Sequence, residues 1–130
     1  MQTTFHRAFD MACDLEEALE AAVAAGCRRI LTSGGRNTAV EGIDTLRALV
    51  AQAAGRIELM AGSGVNPSNV RQLAATCVDA VHFSARSVRP GGMVFRNPHV
   101  SMGGCGDVSE YDLLCADERL IRQILTLLEP

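Results

Sequence analysis

The sequence predicts an α/β fold of parallel (β/α) units, arranged as half of a (β/α)8 barrel. Three observations carry this. Four short apolar runs, at residues 3–10, 29–35, 57–65 and 80–86, end in polar or glycine residues, and a helical pattern usually follows. The runs are nearly continuous rather than alternating, as strands buried on both faces of a parallel sheet read. A closed barrel needs eight units in about 250 residues, whereas this chain supplies four in 130.

The elements follow in order. A first strand covers residues 2–7. Asp14, with Glu17 three residues on, marks a helix start; Leu15, Ala18, Leu19, Ala22 and Val23 repeat at helical spacing and Gly26 stops the run. A second strand covers 28–32. Thr38 and Glu41 repeat the capping pattern before a stripe of Ile43, Leu46, Leu49, Val50 and Ala53, which Gly55 ends. A third strand lies at 57–61. Asn66 with Pro67 opens a short third helix through Val70, Leu73 and Ala74 to about Cys77. The fourth strand lies at 80–84. Residues 85–109 break the rhythm with Pro90, Gly91, Gly92, Pro98, Gly103, Gly104 and Gly106. A stretch that long reads as a functional loop, such as a mobile lid, or as disorder. A last helix starts near Asp117 and carries Leu120, Ile121, Ile124, Leu125 and Leu128 on one face.

Composition bounds the function. Hydrophobic residues make up 48% and aromatics 4%, so the core is built of Ala, Val, Leu and Ile. The net charge of -3 provides no footprint for nucleic acid or an anionic membrane. No apolar stretch approaches the roughly 20 residues of a membrane span. No basic segment followed by an apolar one opens the chain, so a cytoplasmic location is expected. The five cysteines form no CxxC pair and are expected to be reduced thiols.

The strand ends hold the residues that carry chemistry. Gly62-Ser63-Gly64-Val65, running into Asn66-Pro67-Ser68-Asn69, is the most specific local signal. Small residues let the backbone approach a ligand, and in barrels the last two such loops often hold phosphate. A tight turn that needs glycine is the alternative, and Ser33-Gly34-Gly35 on a neighbouring strand end favours the anion. His6 and Asp10 suit acid, base or ligand roles, and Arg7 suits a carboxylate or phosphate clamp. A structural Arg7–Asp10 pair reads equally well, and strand alternation places His6 and Arg7 on opposite faces. His82, between Val81 and Phe83, reads as a satisfied core histidine. Met11 and Cys13 form a soft MxC step, and Met60 precedes the glycine turn; Cu(I) favours such atoms. Cys27, Cys77 and Cys115 read as small core residues and Cys105 as exposed. No spacing enforces a metal site, so metal ligands stay unassigned and no tetrahedral thiolate centre is expected.

Taken together, Phe5-His6-Arg7-Ala8-Phe9-Asp10, Leu31-Thr32-Ser33-Gly34, Met60-Ala61-Gly62-Ser63-Gly64-Val65, Val81-His82 and Arg96-Asn97 with Ser101-Met102 closely resemble the CutC copper homeostasis family. The resemblance is colinear from residue 3 to about 102. It implies a (β/α)8 barrel, a cytoplasmic protein and a link to copper tolerance and Cu(I) binding. It leaves the reaction, and whether there is one, open. It places this chain on strands five to eight, so residues 1–130 read as one half-barrel domain lacking the N-terminal half. Copper(I) as a cofactor rests on the resemblance alone, because the cysteines proposed to bind it in that family lie in the N-terminal half. Ser63 stands where the family often has alanine, and Phe83 where a small polar residue is common, which would narrow the pocket.

Two functions follow. One is copper homeostasis of CutC type. The other is a barrel enzyme or its remnant acting on a small anionic or phosphorylated metabolite. For the latter, His6, Arg7 and Asp10 are the catalytic candidates; Ser33, Gly34, Gly62, Gly64, Asn69 and Ser84 form the binding set, with Arg96 and Asn97 added through the resemblance. Half a barrel leaves strand edges unpaired at residues 3–6 and 81–84 and an inner face of Phe5, Leu31, Met60 or their neighbours uncovered. A homo-oligomer or a separate N-terminal half is therefore expected as partner.

Overall fold

A computed structural model describes residues 1–100 and 108–129. Four parallel strands, β1 (Thr4–Phe5), β2 (Arg29–Thr32), β3 (Glu58–Gly62) and β4 (Ala80–His82), lie in sequential order in one sheet. Helices α1 (Leu15–Ala24), α2 (Ile43–Ala53) and α3 (Val70–Ala74) make the connections, and α4 (Glu118–Leu128) closes the chain against α3. The predicted order holds and each strand lies at its predicted position, but β1 and β4 are shorter than expected.

Each helix starts and stops for a local reason. Asp14 Oδ1 accepts from the N–H groups of Glu16 and Glu17, and Gly26 at φ +77° takes the chain out of α1. Thr38 and Glu41 make a reciprocal capping box, but it closes a turn, and the helix proper starts only at Ile43. Asp117 caps α4 through the Arg119 N–H. The third helix is shorter than predicted, because side-chain turns at Asn66 take up its first residues.

Register decides what faces where. Paired residues of a parallel sheet point the same way, so Ile30 and Leu59 share one face, and Leu31, Met60 and Ala80 the other. The first face is buried: Ile30, Leu59 and Ala61 pack against Leu19, Ala22, Leu46, Leu49 and Leu73 from the helices. Leu31 and Met60 are only half-buried, with Arg29 bridging to Glu58 at the opposite end of that face. Phe5 pairs with Ile30 and meets Phe9 edge-on at 6.2 Å. It therefore belongs to the helix side, not to the inner face expected from the sequence.

Residues 85–109 are also not one irregular loop. Strand β5 (Arg86–Pro90) pairs antiparallel with β6 (Asp112–Ala116) in a separate two-stranded sheet. The partners are so far apart in sequence that no turn signature joins them, which is why pattern reading missed the pair. Ser101, Met102, Gly103, Gly104, Cys105 and Gly106, and with them the expected exposure of Cys105, lie outside the described residues. No helix among the described residues is long and apolar enough to cross a membrane.

Candidate functional site

The carboxyl end of the sheet is organised by one carboxylate. Strand β1 stops at Phe5 and a single-turn 3-10 helix, Arg7–Met11, begins at once, capped by His6 Nδ1 accepting from the Ala8 N–H at 2.9 Å. This turn carries Asp10 back over the end of β2. Asp10 Oδ1 accepts from the Thr32 hydroxyl at 2.5 Å and the Gly35 N–H at 3.1 Å; Oδ2 accepts from Ser33 Oγ at 3.0 Å and Arg7 Nε at 2.8 Å. The Ser33 N–H reaches both oxygens at 3.1 Å. Burial pushes the Asp10 carboxyl up, but the bonds from Thr32, Gly35, Arg7 and Ser33 outweigh it and hold the group below its ordinary value. Its lone pairs are spent inside the protein. Asp10 is an anion held in place by these bonds, and it orients the groups around it.

What it orients is Arg7. With Nε on Asp10 and Nη2 on Ser33 Oγ (2.8 Å) and the Arg36 carbonyl (3.1 Å), the guanidinium is fixed along one edge. Nη1 makes no bond among the described residues. Arg7 then lines a cleft of about 260 Å³ with Leu31, Ser63, Gly64, Val65, His82, Phe83 and Ser84. No carboxylate is in that lining.

The glycine turn forms the opposite wall. Ser63 at φ +84° and Gly64 at φ +70° are consecutive left-handed residues. Ser63 Oγ donates to the Asn37 carbonyl at 2.6 Å, which ties this wall to the loop after β2. Gly62, one residue earlier, shares a face with His82; a Cβ there would meet Leu31 Cδ1 at 2.5 Å. Glycine at that point leaves the cleft floor open.

The predicted site residues thus separate into three groups. Arg7, Gly64 and Ser84 line the cleft; Gly62 lies beneath it. Asp10, Ser33, Gly34 and Asn69 build its support. Ser33 is buried in the Asp10 network, and Gly34 packs on the backbone of Gly42, where a Cβ would meet the Gly42 carbonyl oxygen at 2.5 Å. Gly34→Ala, at φ +69° and with that clash, is expected to lower stability by about 2–3 kcal/mol; denaturant titration at unchanged slope reads it. Asn69 donates to the Gly64 carbonyl at 2.8 Å and accepts from the Asn66 N–H. His6, Arg96 and Asn97 stand apart from the cleft lining. His6 is an exposed cap, Arg96 lies 5.3 Å over the Tyr111 ring, and Asn97 exchanges hydrogen bonds with the Tyr111 hydroxyl.

Three expectations need correction. His82 is not a core histidine; it is exposed at the end of β4 and lines the cleft, because the strand is only three residues long. The alternation argument for His6 and Arg7 fails because the strand ends before them. Cys77 is exposed at φ +64°, where the chain turns out of α3, so it is not a core residue. Among the cleft residues, Leu31, Ser63, Val65, His82 and Phe83 were not in the predicted set, although Ser63 and Val65 adjoin Gly64 and Phe83 adjoins Ser84.

The soft atoms do not assemble. Met11 is 86% exposed, Cys13 is exposed, and Cys27 lies beside the helix-side core. Among the described residues no three of His, Cys, Asp and Glu gather as a metal-holding group. These observations assign no copper ligand among the described residues.

Comparison with known proteins agrees with this fold. The CutC family profile matches residues 1–87. The chain is 47% identical to a CutC family protein of Vibrio campbellii over 126 residues, covering 96% of this chain and 51% of the relative. It is 45% identical to one from Porphyromonas gingivalis over 130 residues, covering 99% and 52%. It thus spans about half the length of the curated relatives it matches. A crystal structure of CutC from Streptococcus agalactiae, provisionally described as a copper homeostasis protein, superposes with a TM-score of 0.59 at 36% identity over 63% of this chain and 41% of that one. The family profile spans all four parallel strands and every residue that lines the cleft, and the identities to the relatives extend past them: this chain belongs to the CutC family.

Proposed function

We propose that this chain acts in copper homeostasis in the cytoplasm as the carboxyl-terminal half, strands five to eight, of a CutC-type (β/α)8 barrel. What this half contributes is a rim that binds a small anionic ligand; copper is cargo of the complete barrel and takes its ligands elsewhere. The copper role comes from the family and from the description of the Streptococcus agalactiae relative. The anion reading rests on one observation: a guanidinium fixed by Asp10 and Ser33 lines a cleft that contains no carboxylate. A charged donor held in place gives up little side-chain entropy when an anion arrives. The barrel reading is supported by four sequential parallel strands whose outer members each have one free edge in that sheet.

Calorimetry with inorganic phosphate and citrate, on the chain and on Arg7→Gln, tests the anion reading. Saturable binding that falls about tenfold or more in Arg7→Gln is expected, the cost of a charged hydrogen bond. Equal binding by both proteins, or none by either, would contradict it. Cu(I) titration against a competing chelator tests the other half of the proposal. No stoichiometric copper should transfer to the chain, and a one-to-one signal abolished by Cys13→Ser would return copper ligation to these residues.

A further inference from the structure

The glycine turn fixes not only its side chains but the direction of its peptides. The Ser63 carbonyl accepts from the Ala39 N–H at 3.0 Å. The Gly64 carbonyl accepts from Asn69 Nδ2 at 2.8 Å and from Asn66 Nδ2 at 3.0 Å. In a planar trans peptide the N–H points opposite to the C=O. The Gly64 N–H is therefore turned away from Ala39, and the Val65 N–H away from the two asparagine amides. Neither N–H donates to any group among the described residues, and both residues line the cleft. Successive free backbone N–H groups in a turn make an anion-binding concavity.

We propose that the ligand is a small phosphate monoester whose phosphoryl group sits on the N–H groups of Gly64 and Val65 and on Nη1 of Arg7. This rests on the anion reading and narrows it. A carboxylate has two oxygens to share, and a phosphoryl group three. The cleft offers the two N–H groups, Nη1, the Ser84 hydroxyl and the His82 ring, more donors than one carboxylate can engage. Leu31, Val65 and Phe83 supply the apolar contact for the body of an ester, which inorganic phosphate lacks. Asn69 is then a positioning residue. It touches no ligand and acts by holding the Gly64 carbonyl so that the next N–H stays aimed.

Proton–nitrogen correlation spectra of the chain, titrated with phenyl phosphate, inorganic phosphate and benzoate, test this. The Gly64 and Val65 amide signals should shift saturably with both phosphates. Phenyl phosphate should bind about tenfold more tightly than benzoate. Asn69→Ala should weaken phenyl phosphate about tenfold while Arg7 still contributes, and Ser84→Ala, at an exposed hydroxyl, should weaken it a few-fold in a protein that keeps its dispersed spectrum. Equal binding of benzoate and phenyl phosphate, or binding that leaves the Gly64 and Val65 signals in place, would overturn the phosphate seat while leaving an Arg7-dependent anion site standing. No binding of any of the three would overturn both.

Discussion

Asp10→Ala is expected to lower the stability of this chain by about 3–4 kcal/mol, a large part of the 5–15 kcal/mol typical of a domain. The side chain is 5% exposed and takes bonds from Thr32, Ser33, Gly35 and Arg7. Thr32 and Ser33 are themselves buried, so removing the carboxylate strands donors that water does not reach. Asp10→Asn keeps one oxygen as acceptor and should lose less. Urea unfolding reads the difference as a shifted midpoint at constant slope.

The same residue sets an acid limit. Its carboxyl sits below the ordinary 3.8 in the folded chain. The unfolded state therefore binds the proton first as pH falls. The contribution of ionised Asp10 is fully present above about pH 4 and is lost as pH drops through the folded value. In Asp10→Asn that acid step should disappear, and the two proteins should converge in stability at low pH.

Much of the fold was legible before any coordinates. Near-continuous apolar runs followed by capped helical stripes placed four strands and their order, since buried parallel strands and helix caps leave local signals. Asp14 was read as a cap and acts as one, and the last helix starts beside Asp117 as expected. What stayed hidden was non-local. The pairing of Arg86–Pro90 with Asp112–Ala116 depends on residues that no turn connects. The face of Phe5 depends on register with Ile30, which the sequence of β1 does not contain. The rim was half legible. Arg7, Gly64 and Ser84 stood at strand ends, where barrels keep their chemistry, but the task of Asp10 came from a 3-10 turn that starts where the strand was expected to continue. His82 was misjudged for the same reason: its exposure follows from the length of β4, which apolar neighbours on either side concealed.

The second large effect concerns assembly. A groove of about 490 Å³ runs along the outside of β1, lined by Phe5, Phe9, Met11 and the alanines of α1, with Phe5 37% and Met11 86% exposed. It adjoins β1, which among the described residues pairs only with β2. At the other edge β4 pairs, among the described residues, only with β3, and Leu31 and Met60 are half-buried on the sheet face away from the helices. In the 93–95 segment, Met93, Val94 and Phe95 add further exposed apolar surface. Apolar surface of that extent, joined to unpaired strand edges, drives association. Each copy can meet another across a two-fold axis, or an N-terminal half can take the same place.

Sedimentation velocity of this chain across a hundredfold range of concentration tests the half-barrel account most directly. The account predicts a species larger than one chain whose sedimentation coefficient rises with concentration, and a return to one-to-one assembly when an N-terminal CutC half is added. A well-folded monomer, independent of concentration and indifferent to that half, would contradict it.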